Sequence, residues 1–136
     1  MDNLVTVYEP SNIYGQPVLG ENVKIGAFCD LGDAVIGDNV SVGAFGFIPG
    51  KVRIKDGAWL GPRVTFTHTF PPATPADWKE TIVGENVKIG AAVTILCGIH
   101  IGNNAIIGAG SVVTKDVPAG ETWAGVPARP INNKIT

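Results

Sequence analysis

A strict six-residue period governs the chain from Ile82 to Val113. Val83, Ile89, Ile95, Ile101, Ile107 and Val113 fall six apart, and Gly84, Gly90, Gly102 and Gly108 follow four of them. A helix repeats every 3.6 residues and a half-buried strand every 2, so a period of six with glycine locked to one phase indicates a short unit laid down repeatedly. Small or apolar side chains, Val87, Val93, Ile99, Ala105 and Ser111, stand two residues before these aliphatics. One face of every unit is therefore dry.

The same phase runs through most of the chain. It starts at Ile13, continues through Leu19, Ile25 and Leu31, shortens to five residues at Ile36, and resumes at Val42, Ile48, Ile54, Leu60 and Phe66. The small position is again filled by Val23, Cys29, Ala34, Val40, Ala58 and Val64. Residues 13–66 and 83–113 are thus two runs of one repeat. Between them, residues 67–82 (THTFPPATPADWKETI) break the pattern with three prolines and read as a projecting loop. Residues 1–12 carry no clear repeat and are expected to form a cap or arm. In the tail, residues 114–136, Pro118, Pro127 and Pro130 argue against a ladder and for a segment folded back on the last coil.

Each unit suits a strand of about three residues and a tight corner where glycine removes the Cβ penalty, and three units close a triangular coil. The expected fold is an all-β, single-domain parallel β-helix of about five coils, roughly 25 Å long at the ~4.8 Å strand spacing. Eighteen glycines, ten prolines and 16% charged residues would also suit a linker, but 45% apolar content can bury a core. The net charge of -2 provides no basic footprint for nucleic acid. No apolar run reaches the roughly 20 residues that span a bilayer. The first ten residues, MDNLVTVYEP, lack a charged and then apolar leader pattern, so no membrane partner and a cytoplasmic location are expected. Cys29 and Cys97 stand in no metal or redox spacing and read as reduced thiols in or near the core.

The units IGAFCD, IGDNVS, VGENVK, IGNNAI and IGAGSV resemble those of the hexapeptide-repeat acyltransferases, from about Ile13 to Pro130. That resemblance implies a left-handed parallel β-helix, an exception to the usual right-handed crossover. The ending IGAGSVVTKDVPAGETWAGVPARPI is similar to the acetyl-coenzyme A binding end of these enzymes. FTHTFPP, then Trp78, then TIVGENVKIGAAVTILCGIHIG resemble the loop and following coils of bacterial nucleotide-sugar N-acetyltransferases. The resemblance implies acetyl-CoA as co-substrate, the amino group of a nucleotide-linked sugar as acceptor, and a homotrimer whose sites lie between adjacent prisms. His68 stands where that subgroup carries Asn and could instead match the loop histidine of related O-acetyltransferases. A sugar or other small hydroxyl acceptor therefore stays open, as does a noncatalytic β-helix binding module.

Acetyl transfer needs a base for the acceptor proton and donors for the charge that develops on the thioester oxygen. His68, in the projecting loop, is the candidate base, because histidine takes a proton near neutral pH. The alternatives are a loop histidine without a role or one that only positions the sugar. His100 precedes the inward Ile101 and should point outward. Two histidines cannot build the three-histidine zinc site of the carbonic anhydrases that share this fold, so no metal is expected. Cys29, at an inward position, is poorly placed as a nucleophile, which favours direct transfer over an acetyl-cysteine intermediate. By resemblance, the pantetheine arm pairs with backbone at Ala91 and Ala109, while Thr114, Lys115 and Arg129 lie near the nucleotide end. Lys and Arg are the residue types that phosphate recognition requires. Trp59, Phe66, Phe70 and Trp78 are expected to cluster around the loop and to be buried where subunits meet, the alternative being that the loop packs on its own chain.

Overall fold

The structure, a computed structural model, describes residues 4–69 and 74–131. The chain winds about one axis in six coils of short strands. The first holds β1 (Val5–Val7), β2 (Asn12–Ile13) and β3 (Val18–Leu19), and the second β4 (Val23–Ile25), β5 (Asp30–Leu31) and β6 (Val35–Ile36). The third holds β7 (Ser41–Val42), β8 (Phe47–Ile48) and β9 (Val52–Ile54), and the fourth β10 (Trp59–Leu60), β11 (Thr65–Phe66) and β12 (Thr81–Val83). The fifth holds β13 (Lys88–Ile89), β14 (Thr94–Ile95) and β15 (His100–Ile101), and the sixth β16 (Ile106–Ile107) and β17 (Val112–Val113). A parallel bridge from Val117 to Ile101 closes the sixth coil. Beyond it, β18 (Thr122–Gly125) and β19 (Ala128–Pro130) form an antiparallel pair.

Strands at the same place in successive coils pair in parallel and build three flat faces. Face A runs β1-β4-β7-β10-β13-β16-β18-β19, face B runs β2-β5-β8-β11-β14-β17, and face C runs β3-β6-β9-β12-β15. The chain passes from A to B to C in each coil, so the prism has an A/B, a B/C and a C/A corner. This is the expected parallel β-helix, consistent with the left-handed class. It has about six coils rather than about five. The difference lies at the start: β1 falls inside the segment expected to be a cap or arm, and it pairs with β4 with Val5 opposite Val23.

Phase explains what is buried. Ile25, Leu31, Ile36, Val42, Ile48, Ile54, Leu60 and Phe66 point inward, and Val83, Ile89, Ile95, Ile101, Ile107 and Val113 continue the same column. The small position is buried as well, from Val23 and Cys29 through Ala105 to Ser111. Ile13 has the right phase yet remains 43% exposed, because no coil lies beneath the first. The five-residue unit ending at Ile36 shortens a corner and leaves the register intact: Leu19 pairs with Ile36, and Ile36 with Ile54.

The glycine that follows each aliphatic has a different cause from the one expected. Left-handed backbone occurs two residues further on, at Phe28, Phe45, Arg63 and Ala92, and at Asn22, Asn39, Asn86 and Asn104. The repeat glycine is required instead by the neighbouring coil, since a Cβ on Gly90 would lie 2.6 Å from the Ala109 nitrogen. Gly90→Ala is therefore expected to destabilise the protein by about 1–3 kcal/mol, the usual cost of overpacking against backbone, read as a lower melting temperature.

The tail also departs from expectation. It folds back, as β19 on β18, but β18 first continues face A, with Ile107 opposite Trp123. Pro118, Pro127 and Pro130 lie outside β18, so its amides remain available to the ladder. The projecting segment is shorter than residues 67–82, because Thr81 and Ile82 already belong to β12 and pair with β9. It leaves the prism at the B/C corner of the fourth coil.

Candidate functional site around the loop histidine

The loop is tied to the prism along both limbs. On the outgoing limb, the Cys97 amide donates to Thr67 Oγ1 at 3.1 Å, and Thr69 Oγ1 lies 3.3 Å from Cys97 Sγ. On the returning limb, Lys51 Nζ donates to the Trp78 carbonyl at 3.0 Å, and Arg53 pairs with Glu80 at 3.3 Å. Thr69 Oγ1 also donates to the Asp77 carbonyl at 3.3 Å, which joins the two limbs. A single 3-10 turn, Pro75–Asp77, forms the described part of the loop tip. The Thr74 amide and hydroxyl both donate to Asp77 Oδ2. These two bonds hold the Asp77 carboxyl below its ordinary value, so it stays ionised.

His68 is exposed between these limbs. Its ring lies 4.7 Å from that of Trp78, tilted by 37°, and 5.5 Å from that of Phe47, edge-on at 69°. Each contact falls in the range where aromatic pairs contribute about 0.5–1.5 kcal/mol beyond area burial. A cavity of about 280 Å³ opens beside it, lined by Thr67, His68, Thr69, Asp77, Lys79, Leu96 and Cys97. A base, a carboxylate, an amine and two hydroxyls around a partly apolar hollow can orient a small polar molecule and take a proton from it.

Of the other candidate residues, Thr114, Lys115, Ala91 and Ala109 flank face B, whereas Arg129 lies at the end of face A and His100 on face C. Thr67 N donates to Ile95 O and Leu96 N to Val113 O, so the B/C corner stacks Thr67, Leu96 and Thr114 in successive coils. Lys115 follows Thr114 two coils beyond the loop exit, on the order of 10 Å along the axis at ~4.8 Å per coil. Thr114 and Lys115 are both exposed. Ala91 and Ala109 occupy the opposite edge of face B, at the A/B corner; the Ala91 carbonyl accepts the Gly110 amide at 2.8 Å. Arg129 is exposed on β19, opposite Ala124, with Nη1 donating to the Ala128 carbonyl at 3.0 Å. His100 is exposed on face C, outside the cavity, with its amide donating to Asp116 Oδ1 at 2.9 Å.

The aromatic cluster is not the one expected. Phe66 is an inward core residue at 0% exposure, and Trp59 stands on face A, 49% exposed. Phe70 lies outside the described residues. Trp78 does join the loop, but its ring partner is His68, which Phe47 also meets. An exposed ridge runs separately along the A/B corner, where Phe28 and Phe45 stack at 5.0 Å and the Arg63 guanidinium lies 4.6 Å over the Phe45 ring.

Sequence reasoning missed Phe47, Thr67, Thr69, Asp77, Lys79 and Cys97 as neighbours of His68. The available signal was phase. Phe47 precedes the inward Ile48 and must face outward one coil below Thr65, while Cys97 follows the corner residue stacked on Thr67. Cys29 and Cys97 differ as a result. Cys29 is buried in the core, and burial raises its thiol above the ordinary value, whereas Cys97 is half-buried on the cavity wall. No group of three or more potential metal ligands occurs among the described residues, and no helix among them is long and apolar enough to cross a membrane.

A three-faced parallel β-helix built from six-residue units defines the hexapeptide-repeat class. The family described as Bacterial transferase hexapeptide (six repeats) matches residues 16–50 and 80–115, more than half of the chain, and the chain belongs to it. Among curated proteins it is similar to the galactoside O-acetyltransferase of Escherichia coli K12, 41% identical over 87 residues, which cover 59% of this chain and 43% of that enzyme. Among solved structures it resembles a point mutant of perosamine N-acetyltransferase from Caulobacter crescentus in complex with CoA and GDP-perosamine. That likeness has a TM-score of 0.75 at 25% identity and covers 95% of this chain and 54% of the other. A point mutant of AntD, an N-acyltransferase from Bacillus cereus in complex with dTDP-4-amino-4,6-dideoxyglucose and Coenzyme A, shares the fold with a TM-score of 0.80 at 23% identity, over 96% of this chain and 81% of that one. The chain thus spans under half of the curated relative and just over half of the perosamine enzyme.

Proposed function

We propose that the protein is an acetyl-CoA-dependent acetyltransferase that transfers the acetyl group to the amino group of a nucleotide-linked sugar. The observation that carries this reading is the 280 Å³ cavity at His68, on the same prism edge as Thr114 and Lys115. Acceptor and thioester would meet at that edge. His68 takes the proton from the acceptor nitrogen as it attacks the thioester carbonyl. Acetyl passes directly to nitrogen as the C–S bond breaks, and the departing coenzyme A thiolate takes the proton from the His68 imidazolium and leaves as the thiol. The pantetheine arm would run along face B toward Ala91 and Ala109, whose small side chains permit close approach, with Lys115 and Arg129 near the phosphates. The likeness to the perosamine enzyme, crystallised with CoA and GDP-perosamine, supports the acceptor class.

A hydroxyl acceptor is the second reading, favoured by the 41% identity to galactoside O-acetyltransferase. The protein is further proposed to form a homotrimer, in which the exposed Phe28, Phe45 and Trp59 would be covered by neighbouring chains. The reaction is tested by incubating the protein with acetyl-CoA and a panel of nucleotide-linked amino sugars and unsubstituted sugars, following thiol release. Release with amines alone is the expected result. Release with hydroxyl acceptors alone overturns the amine assignment, and no release with either class, despite acetyl-CoA binding, makes the protein a noncatalytic binding module.

A further inference from the structure

A side chain that takes a proton during catalysis must present one nitrogen in one direction, and enzymes usually fix a histidine by hydrogen-bonding its other nitrogen to a carboxylate or a carbonyl. His68 has no such bond among the described residues. Its surroundings are aromatic instead. Trp78 covers the ring at 4.7 Å and 37°, and Phe47 meets it at 5.5 Å and 69°. The two rings come from different segments and are fixed independently. Phe47 is in β8, paired with β5 through Asp30 and with β11 through Thr65, while the Trp78 carbonyl is held by Lys51 Nζ at 3.0 Å. Both aromatic side chains are half-buried, although His68 itself is exposed. The segment carrying His68 is pinned on either side by Thr67 and Thr69 bonded to Cys97. Two separate parts of the chain therefore converge on one imidazole, and what they supply is shape and π-surface without a polar bond from the described residues.

We propose that Trp78 and Phe47 are positioning residues for His68, an aromatic clamp that sets the plane of the imidazole and directs a nitrogen into the cavity while leaving both nitrogens free of hydrogen bonds to the described residues. This rests on the proposed role of His68 as base. The clamp does the work of a third, hydrogen-bonding group: rings packed against a face and an edge restrict rotation about the last side-chain bond, and they attract the imidazolium once the proton has moved. Lys51 and the bond between Thr69 and the Asp77 carbonyl keep the two limbs of the loop together, so that Trp78 stays over the ring.

The test uses the full chain and the variants Trp78→Ala, Trp78→Phe and Phe47→Leu, each also in a His68→Ala background. Turnover is measured with acetyl-CoA and dTDP-4-amino-4,6-dideoxyglucose, or whichever amino sugar of the panel turns over. Trp78→Ala is expected to lower kcat by about tenfold with the KM for acetyl-CoA within about twofold, because positioning acts on the transition state and not on coenzyme binding. Trp78→Phe should recover most of the loss. In the His68→Ala background, Trp78→Ala should cost nothing more, the non-additivity expected of residues that act as one unit. An undiminished further loss in that background overturns the clamp and makes Trp78 a substrate contact, and wild-type kcat in Trp78→Ala also overturns it. An independent readout comes from proton NMR of the two histidines in the unliganded protein. The His68 ring signal should be displaced by the Trp78 and Phe47 ring currents relative to His100, and Trp78→Ala should return it toward the His100 position. An undisplaced signal in the wild type refutes the clamp. A displaced signal together with full activity of His68→Ala refutes the base assignment while leaving the packing in place, so the two failures are distinguishable.

Discussion

His68→Ala is expected to lower turnover at neutral pH by at least about tenfold and to leave the KM for acetyl-CoA close to that of the wild type. A general base typically contributes about 10²–10⁴-fold. The lower bound is appropriate because a sugar amine that binds already deprotonated needs less help than a hydroxyl. Folding should not confound the measurement. His68 is exposed, and its two ring contacts are worth at most a few kcal/mol together, at about 0.5–1.5 kcal/mol each. His100→Ala supplies the matched control. That residue is also an exposed histidine, but it stands on face C and outside the cavity, so its removal should leave turnover unchanged. Equal activity in both variants would make His68 a bystander, and the acceptor would then have to arrive deprotonated or lose its proton to solvent. A loss confined to hydroxyl acceptors would instead tie His68 to O-acetylation, where a neutral hydroxyl is the weaker nucleophile and needs the base more.

The core was legible because a solenoid writes its contacts into one dimension. Each inward aliphatic stacks on the one a coil away, so the six-residue phase identified Ile25 through Val113 without any knowledge of topology, and it survived the five-residue unit at Ile36. Phe66 shows the same rule misapplied. It occupies the aliphatic phase and is buried, yet nearness to the loop in sequence suggested a surface cluster. The first coil was less legible because Val5–Val7 carries no repeat glycine and declares itself only by pairing with β4. The strand in the tail was hidden by flanking prolines, although Trp123 falls within reach of Ile107. The site was legible in its landmarks alone. The loop and its histidine interrupt the period and so announce themselves, but Phe47, Cys97 and Lys79 come from three different units. What unites them is the stacking of corners and the return path of the loop, a relation between coils that no local spacing records. The reason for the repeat glycine was hidden for the same cause, since its constraint is the backbone of the next coil rather than its own φ.

Acetyl-CoA is expected to raise the melting temperature, and Lys115→Ala combined with Arg129→Ala to remove most of that rise. A ligand present at about 100 times its Kd stabilises the folded state by about 2.7 kcal/mol. A charge-assisted hydrogen bond to phosphate is worth roughly 1.5–3 kcal/mol, so losing two of them would raise Kd by about 100-fold or more at the same ligand concentration. The remaining stabilisation would then be on the order of 0.4 kcal/mol, close to the limit of a thermal-shift measurement. The unliganded melting temperature should hardly change, because both side chains are exposed, Lys115 makes no hydrogen bond or ion pair among the described residues, and Arg129 bonds only to the Ala128 carbonyl among them. Surface substitutions of this kind usually stay within about 0.5 kcal/mol. The single variants separate the two contributions. Lys115 stands at the B/C corner of the sixth coil and Arg129 on β19 over the end of face A, so each should remove a share of the binding energy and the shares should add. If Lys115→Ala alone abolishes the shift, Arg129 serves the tail and not the ligand. An unchanged shift in the double variant would sink the assignment of the nucleotide end, and the phosphates would have to lie along some other edge of the prism. Raising ionic strength gives a mutation-free check of the same contacts, since screening by salt weakens exposed charge pairs and should shrink the wild-type shift while leaving that of the double variant as it was.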